Sequence, residues 1–472
     1  MSSPAATLAY LKAAQIGEQG ARLRLLSFPS TTPASLARLV SQVCEKLQDK
    51  ILALARRGSS PDVERLLVFI SIYLVDQVAP VLRFIEGATS ENTPANLVLP
   101  LEKIGQALLP DSKFIVRRQW RYNYRVVELR ETLESALQGL LSSKEREAIF
   151  GPPSERLFAI SFPSFERDSA LLHVNFAHEI GHPIEERFLK EEADRASLVD
   201  VEIRRDIEQE LPRASSVDRA LKVGEAKSYR RVAIQEIISD TLSAHVFGPS
   251  CLFALYEVGA LSRSMDVVSR DLHPPWRYRL RQMLSVLEEL GFIDKEQSTL
   301  KSWPQEVPTN VLQAKPKIDV WLQDLRAVVS QQTDLIEIEK EVQVRCAYRS
   351  VQKAIPSIRG FASRNVTTPY TPRLFGEEVP GLLDRIYMQL PPNQIEYTHR
   401  RVCPVRLASI LASGWIYKIA ELTSFNKENP EEYVTRMRGL NRLILKAIEL
   451  SAVKADYDLA FARVKNGPSE QR

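Results

Sequence analysis

Three of the chain's six histidines fall in one short stretch, LLHVNFAHEIGHP at 171–183, and two of them constrain its local fold. His178 and His182 are four residues apart. On a helix that turns about 100° per residue, their side chains lie only about 40° apart, one turn above the other. Two imidazoles arranged in this way can reach one ion, and Glu179 projects beside them. The pattern H-E-x-x-H therefore predicts a helix that carries part of a metal centre.

A catalytic zinc site needs a third protein ligand and leaves its fourth position to water. The segment AIQEIISD at 233–240 offers this ligand on a second predicted helix. Glu236 can supply a carboxylate oxygen, and Asp240, one turn later, can accept a hydrogen bond from the far nitrogen of a zinc histidine. The alternative, a solvated helix face, does not explain why both acids stand among isoleucine and leucine residues. We therefore predict His178, His182 and Glu236 as zinc ligands.

A third candidate element is DLHPPWRYRLRQML, in which His273 precedes two prolines that end one element and begin a helix. A histidine at such a stiff junction can hydrogen-bond the oxyanion of a tetrahedral intermediate across from the metal. A histidine that simply caps the following helix is the alternative.

Together these motifs resemble those of the gluzincin metallopeptidases, which carry H-E-x-x-H followed by E-x-x-x-D. The run from His273 to Arg279 and Leu280 also resembles the H-P-P-x-x-x-R-(I/L) signature of the CAAX-prenyl and HtpX-like metallopeptidase group. The resemblance covers about residues 155–290 and keeps the family's motif order. It implies a zincin-like fold with Zn²⁺ as cofactor and Glu179 as general base. It also implies that Asp240 orients a zinc histidine, and that His273 and Arg279 belong to the site.

The chain departs from the family pattern in three ways. His182 and Glu236 are 54 positions apart, which is more than the family's compact connection has, so we expect an inserted helical segment that folds away from the site. Pro183 removes a helix hydrogen bond directly after His182, which predicts that the helix kinks or stops there. The transmembrane helices of the prenyl-protease group are absent, so the sequence predicts a soluble relative.

Composition agrees with a soluble globular protein. Apolar residues make up 44% of the chain and charged residues 26%, and the formal net charge is only +4. This balance excludes whole-chain disorder and gives no electrostatic argument for nucleic acid or an anionic membrane as the main partner. Cys44, Cys251, Cys346 and Cys403 form no C-x-x-C pair, which predicts neither a disulfide framework nor a thiolate zinc site. The most apolar run, at 66–75, is too short for a bilayer, and without a secretory signal we expect a cytoplasmic protein.

The periodicity predicts a predominantly α fold (α+β) with a small sheet. Helices are expected at 35–57, 62–85, 101–109 and 228–247, and another should begin at a cap, Asp168 or Ser169, and carry the histidines. One strand is expected within 113–129, passing into a helix at about 127–140, and another at RLFAISFP, 156–163. We divide the chain into an N-terminal helical region (1–110), a zincin-like core (111–295) and a C-terminal helical domain (296–472).

Other conspicuous residues have ordinary interpretations. His173 and His245 point away from the metal by helical angle and are expected to be structural, and His399 has no recognisable partner spacing. The stretch RRQWRYNYR at 117–125 could stack on single-stranded nucleic acid, but a strand that alternates a packed aromatic face with a solvated basic face is favoured. The strand 156–163 could instead bind an extended peptide as an added strand.

The sequence therefore predicts a zinc-dependent endopeptidase that acts on a peptide or protein substrate, with nucleic acid unlikely as a partner and the oligomeric state undetermined. One alternative is a non-catalytic interaction module in which zinc ties two helices together. Another is a zinc hydrolase of the deformylase kind, whose third ligand is a cysteine.

Overall fold

Helices dominate the computed structural model of the chain, which agrees with the predicted fold class. It describes residues 4–57, 61, 65, 79–121, 123–131, 134, 143–144, 156–260, 272–301, 303–304, 307–330, 341–397, 400–402, 405–425 and 429–466. A mixed three-stranded sheet and a two-stranded sheet are the β-structure of these residues. Whether the helices form a zincin core remains a prediction. Over the described residues, no helix combines the length and apolar character that crossing a membrane requires.

The elements, numbered in chain order, have the following bounds. The helices are α1 (Pro4–Arg24), α2 (Thr31–Arg57), α3 (Ala79–Gly87), α4 (Ala95–Leu108), α5 (Asn175–Glu210), α6 (Ser216–Phe247), α7 (Pro249–Ala260), α8 (Trp276–Glu289), α9 (Thr309–Ser330), α10 (Val342–Asn365), α11 (Pro372–Tyr387), α12 (Leu407–Leu422) and α13 (Pro430–Asn466). The strands are β1 (Ser112–Gln119), β2 (Arg125–Glu128), β3 (Arg156–Pro163), β4 (Ile395–Tyr397) and β5 (Arg400–Val402).

Contacts divide the chain into two compact units, Met1–Arg167 and Asp168–Arg472. The three-stranded sheet belongs to the first unit and the histidine helix to the second. The boundaries at 110 and 295 do not coincide with this division, and the three-part organisation remains a prediction.

In the first unit, β3 is the central strand of the sheet, whose order is β1-β3-β2. It pairs in parallel with β1 along its whole length, from Ser112↔Arg156 to Gln119↔Pro163. On its other side it pairs antiparallel with β2 over residues 158–161. The hypothesis that β3 binds an extended peptide as an added strand is therefore wrong, because the main chain of its paired residues is already used on both sides.

Helices cover both faces of this sheet. Ile115 and Ala159 belong to the apolar core that also contains buried residues of α1, α2 and α3. On the opposite face the rings of Phe114 and Phe158 stack 5.7 Å apart. Gly105 of α4 lies against Phe114, where a Cβ would come within 2.7 Å of the ring. The period-two alternation of β1 thus provides apolar side chains to both sides.

The second unit is built around a long antiparallel pair, α5 and α6. The two helices are joined by a short turn, and α6 begins with the Ser215 hydroxyl accepting a hydrogen bond from the Asp218 backbone N–H at 3.0 Å. Arg230 donates to Glu192 across the pair at 2.7 Å. The 54-residue interval between His182 and Glu236 is therefore helical, as expected, and consists of the continuation of the two site helices with one turn between them.

Several local predictions are confirmed and others are corrected. The strand at 156–163 and the helix at 35–57 appear at those positions, the latter as part of α2. The stretch 113–129 forms two strands, and α4 begins at Ala95 and runs through Pro100. The predicted helix at 62–85 lies mostly outside the described residues, and the apolar run at 66–75 lies wholly outside them.

The start of the histidine helix also differs from the prediction. Ser169 makes no capping hydrogen bond with its side chain, and a short 3₁₀ helix, Ala170–Val174, precedes α5. The helix does not stop at Pro183, because α5 continues to Glu210. A proline inside a helix costs one backbone hydrogen bond, and the packing of α5 against α6 and α10 can offset that loss.

Candidate metal centre

The two histidines of α5 face α6 at a point where the helices approach closely. Their rings lie 5.0 Å apart and nearly perpendicular, with an interplanar angle of 88°. Gly181 stands between them in sequence, and a Cβ at this position would lie 2.7 Å from the Cα of Ser239. Only a residue without a side chain permits this backbone approach. The contact places Glu236 and Asp240 of α6 opposite the histidines.

Glu236 lies within reach of both histidines. The Nε2 atom of His178 is 3.5 Å from Oε2 of Glu236, and the Nε2 atom of His182 is 4.0 Å from Oε1. The Glu236 residue is only 3% exposed. The structure therefore brings together the three side chains predicted as zinc ligands. They are far apart in the sequence, and the packing of α5 on α6 places them next to one another.

Asp240 contacts the far side of His178. Its Oδ1 atom lies 2.9 Å from Nδ1 of His178, as predicted for the group that orients a zinc histidine. When Nδ1–H donates to this carboxylate, the lone pair of Nε2 is directed towards Glu236. Asp240 thus selects the tautomer that a metal at Nε2 requires.

A second carboxylate, which the sequence reasoning missed, contacts His182 in the same way. Oε2 of Glu185 lies 3.2 Å from Nδ1 of His182. The Gln235 amide donates to Oε1 of Glu185 at 2.6 Å, and the residue is 6% exposed. The available signal was its spacing, since a residue three positions after His182 lies on the same helix face.

Arg279 joins the two acids of α6. Its Nη1 atom lies 2.7 Å from Oε2 of Glu236. Its Nε and Nη2 atoms donate to the two oxygens of Asp240 at 2.9 and 2.7 Å. This two-pronged pairing suits the planar guanidinium and compensates two buried negative charges. The structure therefore places Arg279 beside the site, as the motif resemblance implied.

These contacts determine the charges of the buried groups. Burial alone would raise the pKa of Glu236, but the charge of Arg279 and hydrogen bonds from His178 and His273 outweigh it and hold the pKa well below its ordinary value. Asp240 follows the same pattern through Arg279 and His178, with a lowered pKa. Burial disfavours the charged form of His178, but Asp240 and Glu236 overcome this and raise its pKa to about 10. Both carboxylates are therefore charged, and His178 between them carries a proton on each ring nitrogen. A divalent cation would replace the proton on Nε2 of His178.

His273 reaches the site from the segment before α8. Its Nδ1 atom lies 2.9 Å from Oε1 of Glu236, and its side chain is 48% exposed. Leu272, directly before it, adopts a left-handed backbone with φ 66°. Non-glycine residues adopt this conformation at an energetic cost, and such residues cluster at functional positions. His273 thus contacts a predicted ligand directly, and its interaction with an oxyanion remains a prediction.

The imidazole nitrogens and carboxylate oxygens of this cluster could hold a metal ion, and they are donors of the kind that zinc binds. Tetrahedral ligands at about 2.0–2.2 Å from zinc lie roughly 3.3 Å from one another. Each Nε2 atom lies near a different oxygen of Glu236, at 3.5 Å from Oε2 for His178 and at 4.0 Å from Oε1 for His182. Each histidine presents Nε2 to the centre and Nδ1 to its own carboxylate, the pattern that metal-binding histidines show. The ligand atoms of His178, Glu179 and His182 also lie within 4.8 Å of one another.

The remaining histidines and cysteines of the described residues lie elsewhere. His173 is 1% exposed and packs against Phe176, with ring centroids 5.4 Å apart. His245 is buried near the end of α6, and burial lowers its pKa. Cys251, the residue considered for a deformylase-like site, donates to the Gly248 carbonyl at 2.8 Å and faces Met283. His399 and Cys403 lie outside the described residues.

Comparisons with protein-family models, curated proteins and solved structures gave no significant match for this chain. The likeness to gluzincins therefore rests on the motifs and on the side-chain geometry of α5, α6 and α8.

Proposed function

We propose that the protein is a zinc-dependent peptidase of the gluzincin type. The observation that carries this proposal is the position of Glu236, whose two oxygens lie 3.5 and 4.0 Å from the Nε2 atoms of His178 and His182. An acid from a distant helix, placed between two histidines of an H-E-x-x-H segment, supplies the three-ligand set of this class. Peptides or proteins are the proposed substrates.

The chain's own residues would divide the work as follows. His178, His182 and Glu236 would hold Zn²⁺, which when bound polarises a carbonyl group and lowers the pKa of water. Glu179, 8% exposed and next to the histidine pair, would accept a proton from the attacking water and deliver it to the leaving amine. His273 would donate a hydrogen bond to the carbonyl oxygen of the bound peptide, where negative charge develops. Asp240, Glu185 and Arg279 would keep the ligands oriented.

The experiment that tests this proposal is Glu179→Gln. Zinc content is measured by mass spectrometry of the purified protein, and cleavage is measured by the new termini that appear in a proteome-derived peptide mixture. We expect the variant to retain zinc while its cleavage rate falls by about 10²–10⁴, the usual contribution of a general base. Glu186→Gln, an exposed position on the same helix, is the matched control. Cleavage by Glu179→Gln at the parent rate would exclude Glu179 as the base.

One observation favours a second candidate, a non-catalytic zinc tie between α5 and α6. The carboxylate of Glu179 lies within 4.8 Å of both histidine nitrogens and could serve as a fourth ligand that closes the site. The same variant separates the two functions. In a closed tie, Glu179→Gln loses zinc affinity, and the zinc-loaded parent protein cleaves no peptide in the mixture.

A further inference from the structure

The sheet of the first unit ends in a row of polar side chains that the proposed peptidase function does not use. Arg117 of β1 is the register partner of Ser161 of β3, and Ser161 is also the partner of Arg125 of β2. Register partners on neighbouring strands point to the same face of a sheet, so the three side chains stand side by side. Two residues earlier along β1 and β3, the same face holds Ile115 and Ala159, which pack into the core. The row lies where this apolar face ends.

The central guanidinium of the row is held in place by several contacts. The Nε atom of Arg117 donates to the Ser161 hydroxyl at 2.9 Å, and Nη1 donates to the Arg83 carbonyl at 3.3 Å. The same guanidinium lies 4.0 Å above the ring of Phe84. Helix α3 therefore brings the backbone of Arg83 against the Arg117 guanidinium, and Arg117 cannot turn away into solvent without losing these contacts.

The positive charges of Arg83 and Arg125 lie close enough to act on the Arg117 guanidinium. No carboxylate of the described chain forms an ion pair with Arg83, Arg117 or Arg125, although Arg156 of the same sheet pairs with Glu128 at 2.6 Å. Burial, together with the charges of Arg125 and Arg83, lowers the pKa of Arg117 to about 10. The repulsion between such like charges is reduced when an anion binds between them.

We propose that this arginine row, Arg83, Arg117 and Arg125 with the Ser161 hydroxyl, binds a phosphate group. Guanidinium forks match the oxygens of a phosphate, and Arg is favoured over Lys where planar recognition of this kind is needed. The charge of a phosphate group, up to −2, balances three arginines better than the single charge of a carboxylate. The proposal is independent of zinc and of peptidase activity.

The phosphate group can belong to a free anion or to a lipid headgroup. Trp120 and Phe165, each 83% exposed, follow β1 and β3 at the end where Gln119 pairs with Pro163. The expectation that the aromatic residues of the 117–125 stretch pack on one face is therefore wrong for Trp120. Exposed aromatic rings near arginines are typical of residues that enter the interfacial region of a bilayer. A free phosphate and a lipid headgroup would make the same contacts with the arginine row. Only binding to a lipid surface would also involve the exposed rings of Trp120 and Phe165.

Two binding measurements on the full-length chain test the proposal. Binding of inorganic phosphate is measured by calorimetry at constant ionic strength, with chloride as the reference anion. Flotation is measured with phosphatidylcholine vesicles with and without phosphatidic acid. We expect Arg125→Gln to weaken the binding about tenfold or more, because it removes one charged donor. Arg118→Gln is the matched control, because Arg118 pairs with Phe162 and faces the other side of the sheet.

The outcomes are distinct. Phosphate binding that Arg125→Gln weakens and Arg118→Gln leaves unchanged supports a site for a free anion. Flotation that requires phosphatidic acid and is lost in both Arg125→Gln and Trp120→Ser supports a lipid headgroup. If the parent protein binds neither probe, or if Arg118→Gln weakens binding as much as Arg125→Gln, the proposal is overturned. Far-UV circular dichroism of each variant confirms that the sheet is folded.

Discussion

At the scale of single residues, the two histidines of the candidate centre are supported by different chemistry. Nδ1 of His178 contacts Asp240, whose two oxygens are held by the guanidinium of Arg279. Nδ1 of His182 contacts Glu185, whose other oxygen accepts from the neutral amide of Gln235. The His178 side chain is 13% exposed and that of His182 is 26% exposed. The support of His182 is therefore weaker than that of His178, because a neutral amide takes the place of a guanidinium. The donor and the acceptor at positions 235 and 185 can also be exchanged by substitution.

We expect Glu185→Gln to lower zinc affinity about 10–100-fold, the usual cost of losing a group that orients a metal histidine. His182 and Gln235 contact different oxygens of Glu185, and in the substituted amide an NH2 group replaces one of them, so one of the two contacts becomes donor against donor. Affinity is measured by competition with a chromophoric chelator, which requires no substrate.

The double variant Glu185→Gln/Gln235→Glu restores both hydrogen bonds with the donor and acceptor between the two positions reversed. We expect it to recover most of the lost affinity. If Glu185→Gln binds zinc as tightly as the parent, or if the double variant is weaker than the single one, Glu185 does not orient His182.

At the scale of secondary-structure elements, the site depends on how closely α5 and α6 cross. Gly181 and Ser239 mark the point of contact, one residue from His182 and one residue from Asp240. Interiors are close-packed, so a helix pair cannot absorb an added methyl group at such a contact without moving apart. Any separation here would also change the distances from Glu236 to the histidines.

Gly181→Ala is therefore expected to destabilise the second unit by about 1–3 kcal/mol and to weaken zinc binding, since its Cβ would lie 2.7 Å from backbone of α6. Gly224→Ala is the matched control on the same helix pair, because a Cβ there meets open space. Alanine is favoured over glycine in a helix, so the control should gain about 0.5–1 kcal/mol. Chemical denaturation and chelator competition measure both effects. Equal behaviour of the two variants would contradict the role of the contact.

The elements that the sequence predicted are those whose cause is local. A short apolar run bounded by prolines indicated β3 at its observed position, and helical periodicity indicated α2. The errors arise where distant packing decides. Pro183 ends no helix because α5 packs against α6 and α10. The site shows the same division. Spacing predicted His178, His182, Glu236 and Asp240 as a group, whereas the proposed role of Glu185 depends on Gln235, 50 residues away along the chain.

At the scale of the whole molecule, the chain consists of two units with separate cores. The first contains the sheet, the arginine row and Glu102, and the second contains the candidate metal centre. Units with their own cores can respond separately to conditions that act on only one of them. Glu102 in the first unit and the candidate metal centre in the second allow the separate unfolding of the two units to be measured.

Glu102 makes the stability of the first unit depend on pH. Burial raises its pKa from 4.5 to about 7, and the hydrogen bond from Ser30 opposes this only in part. The folded state thus holds the proton more tightly than the unfolded state, so this contribution is complete below pH 4.5 and is lost as the pH rises through about 7. We expect Glu102→Gln to stabilise the first unit at pH 8, by at most about 3 kcal/mol, and to have little effect at pH 4.5.

Urea denaturation at several pH values measures this difference for Glu102→Gln. Glu91→Gln, at an exposed position of the same unit, serves as the control. A gain that is equal at pH 4.5 and pH 8, or that appears in the control, would show that the buried proton is not its source.

Zinc is expected to stabilise the second unit alone. A ligand that binds only the folded state at a concentration about 100 times its dissociation constant adds roughly 2.7 kcal/mol, which corresponds to an increase of about 5 °C in the unfolding temperature of a unit this large. Trp415, in the second unit, is 2% exposed, whereas Trp120 of the first unit is already 83% exposed in the folded state, so the change in tryptophan fluorescence reports mainly the unfolding of the second unit. His182→Gln should abolish the increase, and Mg²⁺, which prefers oxygen ligands, should not produce it in the parent protein. An equal increase in the parent and in His182→Gln would place zinc binding outside the α5–α6 site, and no increase in the parent would exclude a folded-state zinc site.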